Sequence, residues 1–224
     1  MLIDYHAHVN FNAYKDDADE VIKRALEGGV FMVLVGSQID TSRRAVEMSA
    51  QYEKGVYAAV GLHPIHLEQM EVDEEESHFE TRAEVFDPAA YRALAQDKKV
   101  VAIGECGLDY WHLVDRPYSN AAQPPLKVRG GEEGLWIQEA KARQHATFRQ
   151  HLDLADELDL PLILHCRGSA KDPEDAYRDM LAILREDVEA GQLKRRGSIH
   201  CFVSTLPIAQ EFVKLGFQVG FTGV

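Results

Sequence analysis

The chain has 224 residues, 46% hydrophobic and 27% charged, the mix of an ordinary globular domain. With 24 Lys+Arg against 37 Asp+Glu its net charge is −13, which excludes a sequence-independent coat on nucleic acid, since such binding needs a broad basic surface. No apolar run approaches the roughly 18 residues of a membrane span. Met1 leads straight into Leu-Ile-Asp-Tyr-His with no secretory leader. The cysteines Cys106, Cys166 and Cys201 are scattered and odd in number, which points to a reducing cytoplasm rather than a disulfide scaffold.

Short apolar runs alternate with amphipathic stretches along the chain. Met1–Tyr5 reads as a buried strand ending in polar His6 and His8. Asp16 or Asp17 caps a helix with Val21, Ile22, Ala25 and Leu26 on one face, stopped at Gly28-Gly29. Val30–Val35 is a second strand, Thr41 or Ser42 opens the next helix, and Val56–Leu62 is a third strand followed by His63-Pro64. Asp87-Pro88 has the N-cap and first-turn proline of a short helix. Val100–Ile103 is a fourth strand, ending in Gly104-Glu105, and a long helix covers about Ile137 to Leu158. Pro161–Leu164 is a fifth strand ending in His165, and Asp172-Pro173 opens a helix through Tyr177 and Leu181. Ser198-Ile199 begins a sixth strand beside His200, Thr205 caps a helix, and Phe217–Phe221 is a seventh strand.

Repeated strand–helix units imply parallel strands with helical crossovers. Seven in succession fit a TIM (β/α)8-type barrel as a single domain over 1–224, with one unit missing at the C-terminal end. The expectation is therefore an open barrel, prone to association and poorly active. Two segments break the rhythm. Glu68–Asp87 holds nine acids against one base, Arg82, and reads as a solvated loop. Trp111–Gly134, with three prolines and a Gly130-Gly131 pair, reads as a long loop over the barrel mouth.

His6 and His8 lie two apart at a strand exit, so they project the same way. That is either a metal chelate or two polar residues at the end of a strand. Glu105, His165 and His200 fall at the ends of later strands, where barrel enzymes carry their chemistry. Four imidazoles and a carboxylate suit Zn, Mn or Fe, whereas oxygen-rich sites suit Mg. Each cysteine follows or neighbours one of these residues and should face the helical layer, as a buried inert thiol. His63 can touch substrate or cap a loop. Arg167 has the fork for phosphate oxygens or for a loop acid. Asp109 can orient a ligand imidazole or cap a loop. His66, His78, His112, His145 and His151 read as surface or helix histidines, and Lys194-Arg195-Arg196 as a solvated turn.

Ile3-Asp4-Tyr5-His6-Ala7-His8, Gly61-Leu62-His63-Pro64, Gly104-Glu105-Cys106-Gly107-Leu108-Asp109-Tyr110, Leu164-His165-Cys166-Arg167, His200-Cys201-Phe202 and Gly220-Phe221-Thr222-Gly223 occur in that order. Together they resemble the TatD family of metal-dependent hydrolases, in the amidohydrolase superfamily. The resemblance implies a TIM barrel that hydrolyses phosphodiester bonds of DNA or oligonucleotides, exonuclease-like, through a metal-activated water. It implies two divalent ions (Zn, Mn or Mg) on His6, His8, Glu105, His165 and His200, with Glu105 bridging them. Glu105 and His200 would share in catalysis, and His63 and Arg167 would contact substrate. Neither a membrane nor an obligate protein partner is implied. The Trp111–Gly134 loop, the acidic segment and the missing last strand with its aspartate depart from the family pattern. Two rivals remain at this point: hydrolysis of a cyclic amide, lactone or phosphotriester, and a metal-binding protein that has lost its chemistry.

Overall fold

The computed structural model describes residues 2–74, 77–114 and 132–222. Its first half runs β1 (Leu2–Ala7), α1 (Ala18–Glu27), β2 (Val30–Val35), α2 (Ile39–Ser49), β3 (Val56–Val60), β4 (Glu71–Glu74), β5 (Ser77–Glu80) and α3 (Pro88–Ala95). It continues with β6 (Val100–Asp109), α4 (Trp111–Val114), α5 (Glu132–Leu158), β7 (Leu162–Arg167), α6 (Asp175–Glu189), β8 (Gly197–Ile199), α7 (Leu206–Lys214) and β9 (Gln218–Val219). Seven strands form one parallel sheet in the order β1-β2-β3-β6-β7-β8-β9. Each is the strand expected from its apolar run. The sheet curls into a half-barrel: a Cβ added to Gly220, just past β9, would lie 1.9 Å from the Tyr5 hydroxyl on β1. Among the described residues, no helix is long and apolar enough to cross a membrane.

Strand alternation divides the apolar residues between two cores. Met32 and Leu34 of β2, Ala58 and Val60 of β3, and Leu162, Leu164 and Cys166 of β7 face the helices in the larger core. Their neighbours Val33, Val35, Ala59 and Ile163 point into the barrel, with Tyr5 and Tyr57 packed on them. On β7 the inward series then continues with His165 and Arg167. Two strands break the alternation. The β1–β2 register shifts between Asp4 and Ala7, and the β6–β7 register shifts between Ile103 and Cys106. Such irregularities re-aim side chains next to them. Here they bring His6 and Glu105 toward the strand C-termini of the barrel interior.

Several local expectations need correction. The acidic segment is not a plain loop: β4 and β5 pair as an antiparallel hairpin, with Val72 opposite Phe79. Its base is closed by Thr81, whose hydroxyl accepts the Met70 N–H at 2.7 Å. The expected 111–134 loop is narrower, because Trp111–Val114 is helical and α5 begins at Glu132. Residues 115–131 lie outside the described residues. Helix α2 starts at Ile39, ahead of Thr41, whose hydroxyl instead accepts the backbone N–H groups of Ser37 and Gln38, both at 2.9 Å. Helix α6 starts at Asp175, past Asp172-Pro173. Cys106 and Cys166 face the helical core as expected. Cys201 does not: it is half-buried, with its sulfur 3.0 Å from the Thr222 hydroxyl. The Asp87 cap holds, accepting from the N–H groups of Ala89 and Ala90.

His151, read as a surface or helix histidine, lies on α5 and is fully buried. Its Nδ1–H donates to the Thr147 carbonyl at 2.8 Å, and its Nε2 accepts the Leu62 N–H at 3.0 Å. The ring thus anchors the chain one residue before His63. Burial pushes its pKa from 6.5 down to about 4, against a smaller upward pull from the Thr147 carbonyl. A histidine that binds its proton more weakly when folded contributes stability fully above the unfolded pKa. That contribution is lost as pH falls from 6.5 through 4. Urea unfolding should therefore show the stability gap between wild type and His151→Gln narrowing by about 3 kcal/mol between roughly pH 7 and pH 4. A gap independent of pH would contradict this assignment. A second test concerns Gly107, at φ 145°, where an added Cβ would sit 2.0 Å from the His165 carbonyl oxygen. Gly107→Ala should cost about 1–3 kcal/mol in the same assay, because β6 and β7 would have to part.

Candidate metal centre

The strand C-termini place the expected residues around one carboxylate. Glu105 is only 4% exposed. Its Oε2 lies 3.5 Å from His6 Nε2 and 3.7 Å from His8 Nε2, and those two nitrogens are 3.1 Å apart. Its Oε1 lies 2.6 Å from His200 Nε2 and 3.1 Å from His165 Nδ1. The His6 and His200 rings stack at 3.8 Å between centroids. One oxygen of Glu105 therefore serves the β1 histidines, and the other serves those of β7 and the β8 exit.

Hydrogen bonds on the far side of these rings set which nitrogen is bare. His8 Nδ1 lies 3.1 Å from the Val35 carbonyl, which can only accept, so Nδ1 carries the proton and Nε2 presents a lone pair. His165 Nε2 is 3.0 Å from Asp109 Oδ2, which turns Nδ1 toward Glu105. Asp109, 1% exposed, is itself held on its other oxygen by the ring and backbone N–H of His112, at 2.9 and 3.1 Å. The Gln144 side chain on α5 clamps the Asp109 backbone at both its N–H and its carbonyl, each at 2.9 Å. Asn10 donates to the carbonyls of Val35 and Thr41, each at 3.0 Å, and so ties the chain past His8 to β2 and α2.

Charge in this cluster follows from burial and neighbours. Burial opposes ionisation of Glu105, yet the imidazoles around it, His200 foremost, hold its carboxyl well below the usual carboxylate range. Burial likewise opposes Asp109, and hydrogen bonds from His112 and His165 hold its carboxyl low. Burial pushes His8 and His63 down, and His200 down to about 4. His165 is the exception. Burial lowers it, but hydrogen bonds to Asp109 and Glu105 outweigh burial and lift it to about 9. The cause is its place between two buried carboxylates. The donor set fits divalent ions: His6, His8 and Glu105 bring ligand atoms within 4.8 Å of one another, as do Glu105, His165 and His200. Among the described residues, His6 Nδ1 is buried with no hydrogen-bond partner, and none of them fixes the tautomer from the far side of that ring. Neutral imidazoles and an ionised carboxylate are the forms that bind metal.

The cavity beside this cluster measures about 220 Å3, and Phe11, Ser37, Ile65 and Arg167 share its lining with the histidines. His63 both caps a 3-10 turn at Pro64–Leu67 and faces the cavity. Its Nδ1 accepts the Ile65 N–H at 3.2 Å, which leaves Nε2–H directed at Glu105 Oε1, 3.5 Å away. In that tautomer it is a donor rather than a ligand. Arg167 lies over the Trp111 ring, 4.7 Å from its centroid. His66 and His112, read as surface or helix histidines, line the cavity from a 3-10 turn and from α4. His66 is buried, with its Nδ1 3.0 Å from Gln38 Nε2, and burial drives its pKa down to about 3. Asn10 escapes the motif reading, although it repeats the two-residue spacing of His6 and His8. Gln144 sits in an amphipathic helix with no signal to mark it.

Residues 3–224 match the family model described as TatD related DNase. An uncharacterized metal-dependent hydrolase, YabD of Bacillus subtilis, is 34% identical over all of this chain and 69% of its own length. A 3'-5' ssDNA/RNA exonuclease, TatD of Cronobacter sakazakii, is 32% identical over 99% of this chain and 66% of its own. The chain thus spans about two thirds of the length of these relatives. The crystal structure of YJJV, a TatD homologue from Escherichia coli K12, superposes with a TM-score of 0.63 at 26% identity, covering 98% of this chain and 67% of that one. With the family model matched from β1 to the last residue, and the strand order and half-barrel already described, the chain belongs to the TatD-related DNase family.

Proposed function

We propose that this chain is a divalent-metal-dependent phosphodiesterase acting on the ends of single-stranded DNA or oligonucleotides. The observation that carries the reading is the division of Glu105 between two histidine sets, one oxygen to His6 and His8 and the other to His165 and His200. Those residues would hold two ions, with Glu105 shared between them. Four imidazoles and one carboxylate favour Zn or Mn over Mg. Bound there, the ions polarise a phosphoryl oxygen and lower the pKa of a water nucleophile.

The chain's own residues supply the rest. Asp109 holds the His165 ring by Nε2–H, and the Val35 carbonyl holds the His8 ring by Nδ1–H, so each presents its other nitrogen. His63 Nε2–H and the Arg167 guanidinium bind non-bridging phosphate oxygens as fixed donors. Glu105 and His200 bound the space in which the phosphate reacts. The exonuclease naming of the Cronobacter relative supports a nucleic-acid end as substrate. We place the protein in the cytoplasm on its three free thiols, Cys106, Cys166 and Cys201.

His165→Ala should lose bound metal and phosphodiesterase activity together, by at least about 100-fold, while circular dichroism stays that of the wild type. Asp109→Asn should cost about 10–100-fold in metal affinity or activity, because the His165 ring loses its acceptor. Metal analysis and turnover of a fluorescent single-stranded oligonucleotide read both effects. Full activity in His165→Ala at unchanged metal content would refute the assignment.

A further inference from the structure

Trp111 packs against Arg167, one of the residues that line the metal-centre cavity. It follows Asp109-Tyr110 at the end of β6, and the β6–β7 register sets Asp109 opposite Arg167, with the Tyr110 N–H bonded to the Arg167 carbonyl at 2.8 Å. The backbone therefore fixes Trp111 beside Arg167, whose guanidinium carbon lies 4.7 Å from the indole centroid. Arg167 also lines the cavity. The two apolar neighbours of Trp111 are inside, with Tyr110 fully buried and Leu113 nearly so, whereas the indole is 38% exposed. Exposure alone says little, since single surface hydrophobics are ordinary. An indole stacked on a cation that borders a phosphate-sized cavity is a different matter. It sits one side chain from the cavity and is partly exposed to solvent.

We propose that Trp111 is a specificity-determining residue, on whose exposed surface a nucleobase adjoining the scissile phosphate stacks. The inference rests on the phosphodiesterase reading above and names how that site selects its substrate. The charge of the chain gives it weight. At a net −13, affinity for nucleic acid has little to draw on from counterion release, so contacts near the site must supply it. Base-on-aromatic stacking is such a contact, tolerant of sequence and independent of net charge. Bases inside a duplex are already stacked on one another, so an indole in this place selects single strands and frayed ends.

The test compares a short oligothymidylate with the same strand carrying abasic nucleotides on both sides of the scissile phosphate. Loss of one stacked base corresponds to about five- to 150-fold in binding. Trp111→Ala should raise KM for the thymidine strand by an amount in that range and leave kcat close to wild type. The same substitution should add little on the abasic strand, because base and indole act as one pair. Trp111→Phe should restore most of the KM. An equal loss on both strands would overturn the proposal and confine Trp111 to holding Arg167. An unchanged KM on the thymidine strand would overturn it outright. A second readout does not depend on turnover. A phosphorothioate oligothymidylate should quench tryptophan emission in the wild type and not in Trp111→Phe, which retains Trp136. If the wild type cleaves neither strand, the phosphodiesterase reading fails, and the quenching measurement alone decides whether bases stack on Trp111.

Discussion

A buried negative charge at Glu105 is the constraint on which the rest of this structure depends. Moving an ion out of water costs several kcal/mol even after the surroundings relax. Glu105 is nearly solvent-free, and a second carboxylate, Asp109, lies four residues further along the same strand and is buried more deeply still. Two such charges persist only if cations or strong donors meet them on every side. His165 stands between them, within hydrogen-bond distance of Glu105 by one nitrogen and of Asp109 by the other. With Nε2–H given to Asp109, a neutral ring faces Glu105 with the lone pair of Nδ1, the form that binds a metal.

The backbone around this centre is built to aim side chains. A regular β6 alternating from Ile103 would send the side chain of residue 105 toward the helices with Ile103. The register shift between Ile103 and Cys106 inserts the extra step, so that Glu105 faces inward while Cys106 and Leu108 return to the helical core. The shift in β1 works the same way on His6. Gly107 lets β6 approach the His165 carbonyl more closely than any side chain would allow, which keeps the Glu105–His165 distance short. Gln144 reaches from α5 to lock both backbone groups of Asp109. The scaffold and the site therefore share residues.

The fold was legible because its signals are periodic. Each of the seven strands is an apolar run set between helices, and the order of runs is the order in the sheet. The convergence of His6, His8, Glu105, His165 and His200 was legible because strand ends in a barrel meet, however far apart they lie in sequence. The residues that escaped notice are those whose roles depend on the third dimension. His66 sits on a 3-10 turn and His112 on a single-turn helix, elements too short for any periodicity to give their direction. His151 lies in a helix, where one ring among polar neighbours looks solvated. Its partner, the Leu62 N–H, belongs to a strand end 89 residues away. The hairpin β4–β5 was hidden by its charge, since acid-rich runs read as loops although backbone pairing is indifferent to it.

The two cores have different tasks, and the division explains the shape of the site. The core between strands and helices is broad and holds the large side chains, including Phe148, Tyr177 and Phe212. It carries the hydrophobic stabilisation. The inner core is a single thin layer of Val33, Val35, Ala59, Ala102 and Ile163. Tyr5 and Tyr57 pack on this layer, and the Tyr5 hydroxyl reaches Gly220 just past β9. Glu105, only 4% exposed among the histidine rings, feels each charge interaction more strongly than it would in water. The same low polarity makes an incomplete ligand set costly, so the centre is stable only when its hydrogen bonds, protons or ions are all in place.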